Sequence, residues 1–536
     1  MKYKSNQFQW WQGTVIYQIY PRSFMDSNGD GVGDLNGIRN KLDYLAWLGI
    51  ETIWLSPVYP SPMADFGYDI SDYCDIDPLF GSLNDFDNLL REIHERGMKL
   101  ILDFVPNHTS DQHPWFQASR SSKDDPKRDW YIWKDAANDG AVPNNWLAMF
   151  GGSAWQWDEH TGQYYYHGFL SAQPDLNWRN PDVVKAMLSA MQFWLDKGVD
   201  GFRVDVIWHM IKDALLRDNP INPDYRPEMA TYNKFLPVFS TDQPEVHEII
   251  KKMRELLDSY PERMMIGEIY LPLQRLMAYY GQQKDGAHMP FNFTLLETPW
   301  EARAIGLAVD QYEGALPDGG WPNWVLGNHD QRRILSRVGA EQARVAAVLL
   351  LTLRGTPTLY YGDEIAMEDV AIPREEIKDP QGINMPDKNL SRDPSRTPMQ
   401  WSAEPFAGFS EVVPWLRLAE NYADTNVKSQ SGDPHSMLSL YQQLIALRQA
   451  NDALRYGIYR TVLATDQVLA YIREVEDETA FLIVLNFSHA PSQVDIIPAL
   501  SGRIILSTKP GSPDRFFKTG FILAADEALI VEVNTL

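Results

Sequence analysis

A single cysteine in 536 residues, Cys74, leaves no intramolecular disulfide and no thiolate metal cluster to hold this chain together. Long apolar runs are also missing. No stretch approaches the ~20 apolar residues needed to span a membrane. The opening "MKYKSNQFQWWQGTVIYQIY" lacks the uninterrupted apolar core of a secretory leader. Basic residues are outnumbered: 48 Lys and Arg against 72 Asp and Glu give a formal net charge of −24. A surface of that sign repels nucleic acid and anionic lipid. Internal repeats and low-complexity tracts are absent. These absences predict a cytoplasmic protein with neither a nucleic-acid nor a membrane partner, and they leave its oligomeric state open.

What the chain does have is core and rhythm. Hydrophobic residues make up 44% and charged residues 22%, a balance that suits a large soluble fold. Short apolar runs alternate with helical patterns: "VIYQIYP", "TIWLSPV", "KLILDFVPNH", "GFRVDVI", "MMIGEIY", "FNFTLLE", "WVLGNHD" and "TPTLYYGDEI" are each followed by one. Such alternation predicts an α/β fold of the (β/α)8 TIM-barrel type rather than an open sheet. Residues 109–180, rich in Trp, Pro, Gly, Asn and Asp, are too long for a structureless loop and predict a domain inserted after the third strand. The barrel then occupies residues 1–108 and 181–455, with a second irregular stretch at 366–433. From 456 to 536, β-type runs such as "TAFLIVLNF" and "EALIVEVN" predict a C-terminal antiparallel β-sandwich domain.

"GVDGFRVDVIWH" raises the question of function. Successive side chains of a strand point to opposite faces, so Arg203 and Asp205 share one face and Phe202, Val204 and Val206 the other. Alone, that reads as a structural ion pair as readily as a site. Asp103, Glu268 and Asp330 also end apolar runs, however, and a TIM barrel builds its functional face at those ends. Four carboxylates gathered there, with Arg203, His108 and His329 beside them, point to catalysis. Clustered carboxylates without His/Cys metal spacing fit glycoside hydrolysis, where one group attacks and another donates a proton. On this reading Arg203 keeps Asp205 ionised, and the apolar setting of Glu268 raises its pKa toward that of a general acid.

"DFVPNHTS", "GFRVDVIWH", "GEIY" and "WVLGNHD" resemble, in order, the four signature regions of the α-amylase family of glycoside hydrolases. "QPDLN", at 173–177, resembles the further signature of its oligo-1,6-glucosidase and α-glucosidase branch. The resemblance runs over essentially the whole chain and implies a retaining, exo-acting α-glucosidase acting on a small α-glucoside. It implies Asp205 as nucleophile, Glu268 as acid/base and Asp330 as the third carboxylate. Arg203, His108 and His329 match residues that hydrogen-bond the bound glucose. Tyr68 matches the platform under the ring, and Asp69 and Arg396 match the pair that closes the pocket. Val206 resembles the residue that accompanies acceptance of α-1,6 links. Phe169, in "YYYHGF", reads as a sugar contact, and His209 reads as a structural imidazole. A retaining mechanism places the Asp205 and Glu268 carboxyls about 5–5.5 Å apart.

The loop "DSNGDGVGD" puts Asp26, Asn28, Asp30 and Asp34 at EF-hand-like positions 1, 3, 5 and 9, with Val32 offering its carbonyl. Gly37 stands where an EF-hand has its bidentate Glu, so this is not an EF-hand. The resemblance implies structural Ca2+ here, with Mg2+ as the alternative, and no organic cofactor. Two rival readings remain. One is an α-glucosyl transferase using the same intermediate. The other, of a different class, is a non-catalytic sugar-binding or transporter-accessory protein.

Overall fold

The computed structural model describes residues 8–476, 478–509 and 516–533; the start of the stretch read for a leader, residues 1–7, lies outside them. The strands β1 (Ile16–Ile19), β2 (Thr52–Leu55) and β3 (Lys99–Phe104) are followed by three short strands in the inserted segment. These are β4 (Trp133–Lys134), β5 (Trp155–Asp158) and β6 (Gln163–Tyr166). The main sheet resumes with β7 (Gly201–Val204), β8 (Met264–Gly267), β9 (Met289–Pro290), β10 (Asn323–Val325) and β11 (Thr356–Tyr360). Its order is β10-β11-β1-β2-β3-β7-β8-β9, parallel throughout. With helices between the strands, this is a TIM barrel.

The sheet's two end strands are joined by packing. Ile16, Trp54, Ile101, Ile266, Met289 and Val325 share one interior cluster drawn from both ends of the strand order. The sixth strand lies earlier than the run "FNFTLLE" predicts. Pairing ends as Phe291 N–H donates to Gly267 (2.7 Å), after which Asn292 Oδ1 accepts Thr294 N–H (3.0 Å) and turns the chain into the one-turn helix Thr294–Glu297.

Helix Pro181–Lys197 aims the central strand. Asn180 caps its start, and it buries Val183, Met187, Met191 and Trp194. Gly198, at φ 101°, ends it in the left-handed conformation that glycine adopts without steric cost. Three residues later β7 begins at Gly201, where a Cβ would come within 2.3 Å of the Met264 carbonyl oxygen on β8. Close approach of β7 and β8 therefore requires glycine.

β4, β6 and β5 form a small antiparallel sheet over the barrel mouth side of the chain, tied back by bridges His108–Asp175 and Tyr131–Leu176. The C-terminal strands are β12 (Ile458–Ala464), β13 (Val468–Glu474), β14 (Ala480–Asn486), β15 (Ser492–Val494), β16 (Ser501–Ser507), β17 (Phe516–Lys518), β18 (Phe521–Leu523) and β19 (Ala528–Val533). Six of them make one antiparallel sheet, β12-β13-β14-β19-β16-β17, and β15 pairs with β18.

Candidate active site

Arg203 lies within β7, fully buried, with its guanidinium over the Trp54 ring at 5.1 Å. Its Nη1 donates to Asp103 (2.8 Å) and Asp205 (2.6 Å), and its Nη2 sits 2.8 Å from Glu268. Asp103 belongs to β3, Asp205 directly follows β7 and Glu268 directly follows β8. Three adjacent strands thus deliver three carboxylates to one cation. Burial pushes the Asp205 carboxyl well above its ordinary value; Arg203 opposes the shift, and Glu268 and Asp103 add to it. Glu268 and Asp103 are raised as well, again mainly by burial. Arg203 therefore offsets only part of the shift that burial imposes on Asp205.

The alternation read from sequence stops at Val206. Its backbone turns left-handed, at φ 36° and ψ 46°, and its N–H donates to Glu268 Oε2 (2.9 Å). A β-branched residue in that region is strained. The turn brings the Val206 side chain to the cavity wall.

Asp330 has the opposite electrostatics. Oδ1 accepts from Arg392 (3.1 Å) and Arg396 (2.9 Å), and Oδ2 lies 3.1 Å from His329 Nε2. Burial would raise this carboxyl, but His329, Arg392 and Arg396 outweigh it and hold the group far below its usual value. His329 connects the two halves of the site. Its Nδ1 lies 2.7 Å from the Gln18 amide, and its Nε2 lies 2.8 Å from the Tyr68 hydroxyl. That hydroxyl donates to Asp103 (2.9 Å), and the Tyr68 ring stacks on His329 at 5.3 Å. His108, which burial lowers to about 4, packs against Phe169 at 5.2 Å. His209 is buried but not satisfied: neither ring nitrogen has a hydrogen-bond partner.

These groups open onto a cavity of about 1230 Å³, lined at its inner end by Asp65, Tyr68, His108, Asp205, Glu268 and Asp330; Phe169, Val206 and His329 also line it. Three expected residues do not: Arg203, fully buried among the acids it bridges, Asp69 and Arg396. The Asp69 carboxylate faces its own turn, accepting from the Ser61 hydroxyl (2.9 Å) and the N–H groups of Ala64 (2.8 Å) and Asp65 (2.9 Å). Arg396 lies behind Asp330, donating to the His329 carbonyl at 2.7 Å. The ion pair at the cavity wall is instead Asp65–Arg392, at 2.7 Å, with Arg392 also bound to Asp379 at 2.6 Å and Asp330 at 3.1 Å. Gln173 of "QPDLN" supports it by donating to Asp65 (3.1 Å). Each motif carries two candidates four residues apart, Asp65 and Asp69 in one and Arg392 and Arg396 in the other.

In the β1 loop the donor set is all oxygen, the chemistry a hard cation takes. Asp26 accepts from Asn28, Gly29 and Gly31 N–H and from the Ser410 hydroxyl, and Asp34 accepts from Ser27 and Gly37. Asn28 and Asp30 each accept an N–H two residues on, from Asp30 (3.0 Å) and Val32 (2.8 Å). The loop is closed by hydrogen bonds. Among the described residues, no three His, Cys, Asp or Glu side chains are grouped to hold a metal.

The profile of the α-amylase catalytic domain matches residues 18–457. A probable α-glucosidase of Rhizobium meliloti is 42% identical over 493 residues, covering 88% of this chain and 89% of its own. An oligo-1,6-glucosidase of Parageobacillus thermoglucosidasius is 41% identical over 518 residues, covering 89% and 90%. Among solved structures, an α-glucosyl transfer enzyme superposes with a TM-score of 0.92 at 42% identity, over 98% of this chain and 100% of that one. A trehalulose synthase variant gives 0.91 at 34% identity, with the same coverage.

The corrected pair is testable by titration calorimetry with glucose. Asp65→Asn weakens affinity by about 1.5–3 kcal/mol, the range for a charged hydrogen bond. Asp69→Asn lowers Tm and changes affinity far less.

Proposed function

The chain belongs to the α-amylase family of glycoside hydrolases and is a hydrolase of the α-glucosidase class; from that premise we propose a retaining, exo-acting enzyme that releases glucose from the non-reducing end of short α-glucosides. The observation that carries the mechanism is the bridge from Arg203 to both Asp205 and Glu268. Asp205 attacks the anomeric carbon and forms a glucosyl ester while Glu268 protonates the departing oxygen. Glu268 then takes a proton from water, which releases glucose with its α configuration retained. Two carboxylates within reach of one guanidinium support the short separation that retention needs. Asp330, kept anionic, accepts hydrogen bonds from sugar hydroxyls, Tyr68 underlies the ring, and His108, His329 and Phe169 flank it. The Asp65–Arg392 pair ends the cavity behind the non-reducing glucose, which supports exo action.

Val206 supports cleavage of isomaltose-type α-1,6 links, with maltose-type α-1,4 links the alternative; a pocket methylene is worth about 1–3 kcal/mol in such a choice. Transfer of the same glucosyl group to a sugar acceptor is the second reading, and the likeness to a solved α-glucosyl transfer enzyme supports it. The partner is a small α-glucoside. No helix of the described residues is long and apolar enough to cross a membrane. A single cysteine suits the reducing cytoplasm, where we place the protein.

A proton NMR time course with isomaltose and maltose together tests the mechanism. We expect α-glucose before mutarotation, with isomaltose falling faster; β-glucose first would overturn retention. The pH profile tests the acid. Activity needs protonated Glu268, whose pKa is raised, so kcat/KM falls as pH rises through a limb above the ordinary carboxylate range. Glu268→Gln removes that limb and lowers kcat about 10²–10⁴-fold.

We also propose structural Ca2+, with Mg2+ the alternative, in the β1 loop. Asp26, Asn28, Asp30, the Val32 carbonyl and Asp34 would hold it; their oxygen chemistry supports the proposal. Titrating chelated protein with Ca2+ should raise Tm, and an unchanged Tm overturns it.

A further inference from the structure

A polar amide stands in the middle of the barrel's first strand. Ile16 of β1 belongs to the interior cluster of the barrel, so Gln18, two residues on, faces the same interior nearer the mouth. It is fully buried, opposite Trp54 of β2 and Tyr360 of β11. A buried amide costs free energy unless its hydrogen bonds are used. The Gln18 nitrogen uses both of its hydrogens: it lies 2.7 Å from His329 Nδ1 and donates to the Ser56 hydroxyl at 3.2 Å. Its oxygen, Oε1, has no hydrogen-bond partner among the described residues. The amide is engaged only through its donor end.

His329 needs that donor. Its ring stacks on Tyr68 at 5.3 Å and on Tyr20 at 5.8 Å. Burial holds its pKa well below the ordinary histidine value; Asp330 opposes the shift, and Arg396, Arg203 and Arg392 add to it. The imidazole is therefore neutral and carries one hydrogen. Which nitrogen holds that hydrogen is set by what each nitrogen meets. Nε2 lies 3.1 Å from Asp330 Oδ2 and 2.8 Å from the Tyr68 hydroxyl, whose own hydrogen goes to Asp103. Both neighbours present lone pairs. A bare Nε2 would set its lone pair against a carboxylate that Arg392 and Arg396 keep anionic. The hydrogen belongs on Nε2, and Nδ1 is left as an acceptor inside the barrel, where an unmade hydrogen bond is expensive.

We propose that Gln18 is a positioning residue: its amide N–H holds His329 in the Nε2–H tautomer and so aims a hydrogen-bond donor at the sugar. The inference rests on the glucosidase reading above. A sugar hydroxyl that gives its hydrogen to Asp330 still has lone pairs to satisfy. His329 Nε2–H, 3.1 Å from the same carboxylate, is placed to meet them. Gln18 does not line the cavity and acts only through His329. The same tautomer orients the chain Gln18–His329–Tyr68–Asp103, so that every hydrogen in it points toward Asp103, which also accepts from Arg203. An amide turned end for end would reverse the imidazole and leave Nε2 bare against Asp330.

Neutron diffraction from deuterium-exchanged crystals of the full chain reads the tautomer directly. We expect a deuteron on His329 Nε2, none on Nδ1, and the Gln18 amide deuterons directed at Nδ1 and Ser56. A deuteron on Nδ1, alone or together with one on Nε2, overturns the inference. Kinetics supplies the second readout, with whichever of isomaltose and maltose is cleaved faster. Gln18→Met, similar in length but without a donor, should lower kcat/KM about tenfold, the scale of one lost buried hydrogen bond. In a His329→Leu background, where the amide has no imidazole to hold, the same substitution should change kcat/KM less than about twofold. An equal fall in both backgrounds, or no fall in the wild type, assigns Gln18 to packing and overturns the inference. If Gln18→Met folds poorly, the deuteron positions in the wild type decide. Absence of glucose release from both sugars would bring down the glucosidase reading, whereas the deuteron positions would still settle the tautomer.

Discussion

The geometry of the site depends on one buried guanidinium. Arginine cannot shed its charge inside a protein, so Arg203 has to be balanced by anions wherever the fold buries it. Strand register supplies them. Asp103 is the direct partner of Arg203 across β3 and β7, and Ile266 is its partner across β7 and β8. Glu268 lies two residues beyond Ile266, and Asp205 two beyond Arg203, so strand alternation brings all four toward the barrel interior. A slip of one residue between these strands would turn the guanidinium outward into the helix layer. Catalytic geometry and barrel register are therefore one constraint. Removing one member of such a buried pair costs about 3–5 kcal/mol because its partner is left uncompensated.

Val206 is where the strand ends and the site begins. Its left-handed backbone costs of order 1–3 kcal/mol for a residue of its kind. That strain is held by packing and by the N–H bond to Glu268. The turn ties the backbone after Asp205 to the second carboxylate. It also brings two methyl groups to the cavity wall, where a plain strand continuation would have left them on the outer face with Phe202 and Val204.

Much of this was legible in the sequence, for physical reasons that also explain the failures. Asp103, Asp205 and Glu268 stand at the ends of apolar runs, and period-two alternation is a local property that sequence displays directly. Asp330 also ends an apolar run in the sequence, although it lies beyond β10 on a loop. The sixth strand lies before its apolar run, because "FNFTLLE" has an extended pattern but Asn292 turns the chain. Asp69 and Asp65 differ only in which one the loop folds back upon. Pattern carries no information about that choice, and the same holds for Arg392 and Arg396. The turn at Val206 left no local trace, because the residue there is valine and not glycine.

The cavity also resolves a problem of proton inventory. Three carboxylates, Asp103, Asp205 and Glu268, meet one guanidinium near the reacting bond, and burial raises all three. At the closed end, Asp65, Asp330 and Asp379 meet two, Arg392 and Arg396. There Asp330 and Asp379 are lowered, and Asp65 is raised, mainly by burial. Burial raises each of these carboxyls, and the neighbouring cations offset it to different extents. The proposed mechanism needs a proton on Glu268, an ionised Asp205 and an anion against the sugar hydroxyls. Arg203 favours the charged form of Asp205 through its 2.6 Å hydrogen bond, and the arginines at the closed end favour that of Asp330.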